Sequence, residues 1–330
     1  MVNTTPEGWP LEPFLISPTV LNSYGADRAR IRAIMEQAFN EQRTVELREN
    51  LRTRVSGYLE NLAIMNPVNL VDIRRDYASV VAMDTLCDLF GIPESDWAQA
   101  HSTIASLLDP PKDPDEATAA SNSAISFLQS LLDSKKGSVG DDLASVVQRA
   151  AHVEERLPAL IVTIAGGIQS PTELLTNTVY NMLTEPEQRV LVLNGTVGWS
   201  EAIDESLRKD GPVQHMPLRY AIADIDLGDG VVIRQGDAIL LGFGACGRDS
   251  RRHPDRPEVF DVQRQDKAHF ALGLGVHHCI GGAIGRIQAE IALPALFERF
   301  PDIQLAVDAD ALEPVPSYLF SGWASLPVRL

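Results

Sequence analysis

Between His269 and Gly282 the chain reads His269-Phe270-Ala271-Leu272-Gly273-Leu274-Gly275-Val276-His277-His278-Cys279-Ile280-Gly281-Gly282, and an apolar helical pattern runs on from Ala283 to about Phe300. No other stretch restricts the fold as much. Four glycines in so short a run disfavour regular helix or strand and permit tight turns and close backbone approach to a flat group. Cys279 sits just before a helix amino terminus, whose dipole favours thiolate. A thiolate in an apolar, water-poor loop is a ligand for a soft or borderline metal. The same residues also describe a glycine-rich turn around an inert cysteine. Zinc shared with His277 and His278 is a weak option, because consecutive residues rarely aim at one tetrahedral centre.

The chain around this loop is mostly helical. Ile31, Ile34, Met35 and Phe39, then Val45, Leu47, Leu51, Val55, Leu59 and Leu62, recur at spacings of three and four with a break near Asn40. Val71 to Phe90 reads as a helix stopped by Gly91-Ile92-Pro93. Glu154 to Leu183 reads as a long apolar helix bent at Gly166, Gly167 and Pro171, and Trp199 to Arg208 as a shorter one. After Pro212 the pattern changes to short strands at Leu218 to Ala223, Val231 to Arg234 and Asp237 to Leu241. These readings predict a mainly α protein with small antiparallel sheets. One domain spans 1–330, helix-rich over 20–210 and mixed over 211–330.

With 45% hydrophobic residues this chain can bury a sizeable core. Its formal charge of −17 argues against binding nucleic acid or an anionic membrane surface. Three cysteines without paired spacing argue against a disulfide framework. The first ten residues lack the blocks of a signal peptide, and the apolar run Leu157 to Ile168 is too short for a bilayer. The expectation is a soluble, cytoplasmic protein. Cys87 and Cys246 read as packing residues.

The loop resembles the haem-binding segment of the cytochrome P450 family, F-x-x-G-x-x-x-C-x-G. Gly275, Cys279 and Gly281 match it, His277 matches the histidine often found there, and Leu272 stands at the phenylalanine position. Further segments agree. Glu205-Ser206-Leu207-Arg208 fits E-x-x-R, Gly247-Arg248-Asp249 resembles N-R-D, and Phe260-Asp261-Val262-Gln263-Arg264 resembles F-D-x-x-R. The resemblance runs from about Val20 to Leu330. It implies a P450 fold and haem b (iron protoporphyrin IX), with Cys279 as the metal ligand. It implies propionate contacts from Arg219 and His277, helped by Arg32 or Arg28, and places Gly166, Gly167, Leu272, Gly273 and Gly281 around the cofactor. Arg264 would complete a Glu-Arg-Arg cluster with Glu205 and Arg208. The implied activity is a monooxygenase-type oxidation of a small natural-product-like molecule, with a ferredoxin and its reductase as electron donors. Arg28, Arg30 and Arg32, or Arg251 and Arg252, are the candidate basic patch for a donor.

Three departures shape further expectations. Tyr24 to Arg32 resembles D-P-P-x-H-T-R-L-R, so few residues precede it where the family has a first sheet and two helices. An uncovered edge or apolar patch there would suit a homodimer or a partner. Arg28 stands at the family's histidine. Gly166-Gly167-Ile168-Gln169-Ser170-Pro171 occupies the A-G-x-[D/E]-T-T segment, with Gln169 at the acid and Ser170 at the threonine. Serine keeps the hydroxyl, but glutamine cannot ionise. Either the helix is merely notched there, or protons come from another source. The alternative to an enzyme is a haem-free P450-like auxiliary protein that binds and activates a glycosyltransferase.

Overall fold

The computed structural model describes residues 18–65 and 70–330, so the amino-terminal segment read above as lacking a leader lies outside the described residues. The first helical pattern forms as two pieces. α1 (Gly25–Met35) and α2 (Glu41–Met65) are separated by a turn at Glu36–Ala38, and the Asn40 side chain caps the second by accepting from Arg43 N at 2.9 Å. Val71 to Phe90 is not one helix. Leu70–Asp72 is a strand, β1; a π-helical turn at Arg74–Ala78 follows, and only Ser79–Phe90 is α-helix, α3. The strand pairs antiparallel with the carboxy-terminal strand, Val71 opposite Val328. That distant pairing supplies backbone partners which override the local helical pattern. Gly91 ends α3 at φ +66°, a left-handed conformation that glycine adopts without a Cβ penalty.

α4 (Trp97–Leu108), α5 (Pro114–Ser134) and α6 (Leu143–Ala150) follow. α5 starts where the Asp113 carboxylate accepts from Asp115 N and Glu116 N, both at 3.0 Å, with Pro114 in the first turn. α7 (Val153–Thr184) is the long helix, continuous through Pro158 and Pro171. α8 (Pro186–Leu193) and α9 (Trp199–Asp210) lead to β2 (His215–Tyr220), β3 (Ile225–Asp226), β4 (Val232–Ile233), β5 (Ala238–Gly242) and the short α10 (Phe243–Gly247). β2 pairs with β5, and β3 with β4, both antiparallel. After the cysteine loop come α11 (Gly282–Arg299), β6 (Gln304–Leu305) and β7 (Pro327–Arg329). The small sheets are as expected, with strand limits shifted by a few residues.

Two buried apolar clusters hold the molecule. One joins α2, the second half of α7, α9, α11 and the carboxy-terminal strands through Leu59, Leu175, Ile203, Leu293 and Val328. The other joins α1 and α3 to α6 with the first half of α7 through Ile34, Phe90, Leu128, Val147 and Ile164. α7 belongs to both, contributing Ile168 to the second cluster and Leu174 to the first. The Gly166–Pro171 segment lies at that change of partner.

Candidate functional site

The cysteine loop is built on its backbone. Cys279 N donates to Leu272 O at 2.7 Å, Gly273 N to Phe270 O at 2.8 Å and His278 N to Gly275 O at 3.0 Å. Gly273 sits at φ +68°, and a Cβ there would lie 2.7 Å from His277 O, so the loop closes only around glycine. Gly275 and Gly281 are the neighbouring turn positions, and the Leu272 side chain packs beside Gly282 and Cys279. Burial raises the Cys279 thiol pKa. The backbone N–H groups of Gly281 and Gly282, which hydrogen-bond to its sulfur, and the Arg32 guanidinium pull it down. Cys279 as a whole residue is nonetheless exposed.

Cations gather around the same loop. Burial, together with repulsion from Arg219, Arg28 and Arg32, lowers the His277 pKa to about 4. Arg28 is 6% exposed, its pKa lowered by burial and by Arg32 and Arg219. One of its nitrogens donates to Val276 O, while its buried Nε has no partner. Arg32 Nη1 donates to His278 O at 2.7 Å. Mutual repulsion at this density, eased at Arg28 by Glu36, is relieved when an anion enters. Arg28, Arg32, Arg219, His277 and Cys279 are therefore one constellation, drawn from α1, β2 and the loop.

On α7, Gly166 is exposed, and a Cβ on it would meet nothing within 4 Å. Gly167 is tighter, with Leu86 Cδ1 3.1 Å from a built Cβ. Thr163, Thr176 and Thr178 each donate to the carbonyl four residues back, all at 2.7 Å. Ser170 makes no such bond among the described residues. Gln169 Nε2 instead reaches forward to Glu173 Oε1, a fully buried carboxylate that also accepts from Arg74 Nη2 at 2.7 Å. The sequence reading did not single out Glu173 or Arg74. Spacing four from Gln169 on one helix was the available signal.

Behind the loop, Glu205 and Arg208 are 0% and 1% exposed and form a bidentate pair at 2.7 and 2.8 Å. Arg264 Nε reaches the same carboxylate at 3.1 Å, so the three-residue cluster is present. Two expectations change. Cys246 is exposed rather than packed, whereas Cys87 is buried. In the candidate basic patches, Arg30 pairs with Glu155, Arg251 with Asp249 and Arg252 with Asp266, which cancels much of their charge.

One thiol with two N–H donors, beside three clustered arginines and an orphaned Arg28 Nε, suits a dianionic cofactor whose metal takes a single protein ligand; the residues fit haem. Among the described residues no three His, Cys, Asp or Glu converge as a metal cluster. A mainly helical protein with such a loop is the class that fold and site define. The family model for cytochrome P450 matches residues 200–307. The 2-hydroxy-5-methyl-1-naphthoate 7-hydroxylase of Streptomyces carzinostaticus is 34% identical, over 98% of this chain and 80% of that protein. The 6-deoxyerythronolide B hydroxylase of Saccharopolyspora erythraea is 30% identical, over 91% and 75%. The structure of CYP154A1 from Streptomyces coelicolor A3(2) superposes with a TM-score of 0.87 at 32% identity, covering 98% of this chain and 82% of that one. The chain belongs to the cytochrome P450 family, a family of haem-binding oxidoreductases.

Proposed function

We propose that this protein is a haem b monooxygenase of secondary metabolism that oxidises a small natural-product-like molecule. The observation that carries this reading is the Cys279 sulfur, held by the Gly281 and Gly282 N–H groups in a loop beside three clustered arginines. When bound, the cofactor supplies reductive activation of dioxygen, and the cysteine ligand favours O–O cleavage. Cys279 would ligate the metal as thiolate; its N–H donors and Arg32 work against the burial that leaves its pKa raised, and a bound metal would favour the thiolate further. Arg219 and His277, with Arg28 and Arg32, would hold the propionates. Gly166 would leave room for the cofactor and substrate, Gly167 lets α7 lie close against Leu86, and the Ser170 hydroxyl would pass protons to the reacting site. Gln169 orients its neighbours through its amide but cannot ionise. Proton delivery is therefore atypical for the family.

The relatives named above are hydroxylases of a naphthoate and of a macrolide precursor, which supports aromatic or polyketide-like substrates. A ferredoxin and its reductase would supply electrons, and the cytoplasm is the compartment where such donors are kept reduced. No helix among the described residues is long and apolar enough to cross a membrane. A haem-free auxiliary role would leave the sulfur's two donors and the cation cluster without purpose. The test is optical. The reduced, carbon-monoxide-treated protein should show the Soret band of a thiolate-ligated haem, lost in Cys279→Ala. A colourless protein after haem is supplied during expression would overturn the reading.

A further inference from the structure

Among the described residues, Glu173 is the one carboxylate on α7 with no exposure at all. It lies four residues after Gln169 and three after Ser170, so all three share one side of α7. Its Oε1 is taken twice, by Gln169 Nε2 and by Arg74 Nη2. Its Oε2 is buried without a partner, and so is Arg74 Nε. Oε2 is pressed against Gly322, where a Cβ would lie only 1.8 Å away. Two polar atoms of one ion pair are thus left without a partner, which is unusual for buried groups. Arg74 reaches the surface, with 22% of its side chain exposed.

We propose that Glu173, positioned by Gln169 and Arg74, is the proton reservoir that feeds Ser170 in place of the acid absent at position 169. This rests on the haem monooxygenase reading above. Glu173 touches neither substrate nor cofactor and acts as a positioning and supply residue. With Oε1 occupied by two donors, Oε2 carries the proton. That proton passes through buried water to Ser170 Oγ, which releases its own to the reacting site. Glu173 is left as carboxylate beside Arg74 and regains a proton from solvent along the exposed edge of Arg74. Burial keeps the carboxyl above its ordinary pKa against the pull of Arg74 and Gln169. The other charged groups at this corner are engaged elsewhere. Asp72 accepts from Arg74 N at 3.1 Å and Leu326 N at 2.9 Å, and Asp76 pairs with Arg75.

The experiment uses the haem-loaded protein with NADPH, ferredoxin, reductase and dioxygen alone, since no substrate is needed to count electrons. Reduction of dioxygen to water takes four electrons, supplied by two NADPH, and delivers four protons to the oxygen atoms; release as peroxide takes two electrons, supplied by one NADPH, and delivers two. Glu173→Gln should drop the NADPH-to-oxygen ratio towards the peroxide value and slow water formation roughly 100-fold. Peroxide-driven oxidation of guaiacol should stay unchanged, because peroxide brings its own protons. A second readout needs no turnover. A carboxyl with raised folded pKa stabilises the fold most below its unfolded value of 4.5, and that contribution is lost as pH rises through the folded value. Melting temperature should therefore fall with rising pH across that window in wild type, and the slope should flatten in Glu173→Gln. If Glu173→Gln does not fold, Gln169→Leu severs the link while keeping the Arg74 pair, and the same drop in ratio is expected. An unchanged ratio in a folded, haem-loaded variant would overturn the proposal even if stability fell, leaving only a structural pin. Absence of haem from wild type would instead overturn the monooxygenase reading.

Discussion

At the scale of residues, the Glu205, Arg208 and Arg264 cluster shows what a sequence reveals and what it hides. Spacing of three is enough to place Glu205 and Arg208 on one face of α9. What spacing could not show is the carbonyl shell. Arg208 donates to Gly247 O at 2.6 Å, Pro257 O at 2.7 Å and Val259 O at 3.0 Å, and Glu205 accepts from Asp261 N at 2.9 Å. Two guanidinium groups share one carboxylate, so these carbonyls absorb the surplus positive charge. Removing one member strands the others in a water-free site. Glu205→Ala or Arg208→Ala should each cost about 3–5 kcal/mol, a large part of a stability of roughly 5–15 kcal/mol. Circular dichroism and haem content should show loss of the folded, loaded protein. Normal melting in both variants would mean that the pair stabilises nothing.

At the scale of elements, α7 was legible from its apolar length, whereas the bend expected at Gly166, Gly167 and Pro171 does not interrupt it: the helix runs unbroken from Val153 to Thr184. Strand β1 was not legible. Its three residues form a strand only because Pro327–Arg329 lies alongside, a partner more than 250 residues away that no local window contains. The two neighbouring glycines of α7 are separable by experiment. At Gly166 a side chain enters open space, so Gly166→Leu should fold and gain about 0.5–1 kcal/mol from added helix propensity. It should also fill the room left for the cofactor and substrate. At Gly167 the Leu86 side chain stands in the way, and Gly167→Leu should lower the melting temperature by overpacking. Imidazole titrations followed by the optical shift should show binding weakened at least tenfold in Gly166→Leu. Unchanged affinity would place that room elsewhere.

At the scale of the whole molecule, two properties oppose each other. The formal charge of −17, legible from composition, keeps copies apart at low ionic strength. The small sheets that follow α9 were also legible as strands, but their exposure was not, since alternation in two-residue strands is too short to assign a buried face. Ile222 is 72% exposed, Leu227 62%, Val231 55% and Leu240 52%. These apolar side chains lie on one run of chain around β2 to β5, with no described element packed over them. Hydrophobic attraction between two such faces does not depend on salt in first order, whereas repulsion is screened within about 10 Å at 0.1 M salt. Self-association should therefore increase with ionic strength, the opposite of an assembly held by ion pairs. Light scattering of the haem-loaded protein should show mass rising towards a dimer between low salt and about 0.5 M. The double variant Ile222→Lys with Leu240→Lys should suppress the rise, by placing like charges on the face. A mass constant across salt and protein concentration would show that the exposed strands do not bind a second copy.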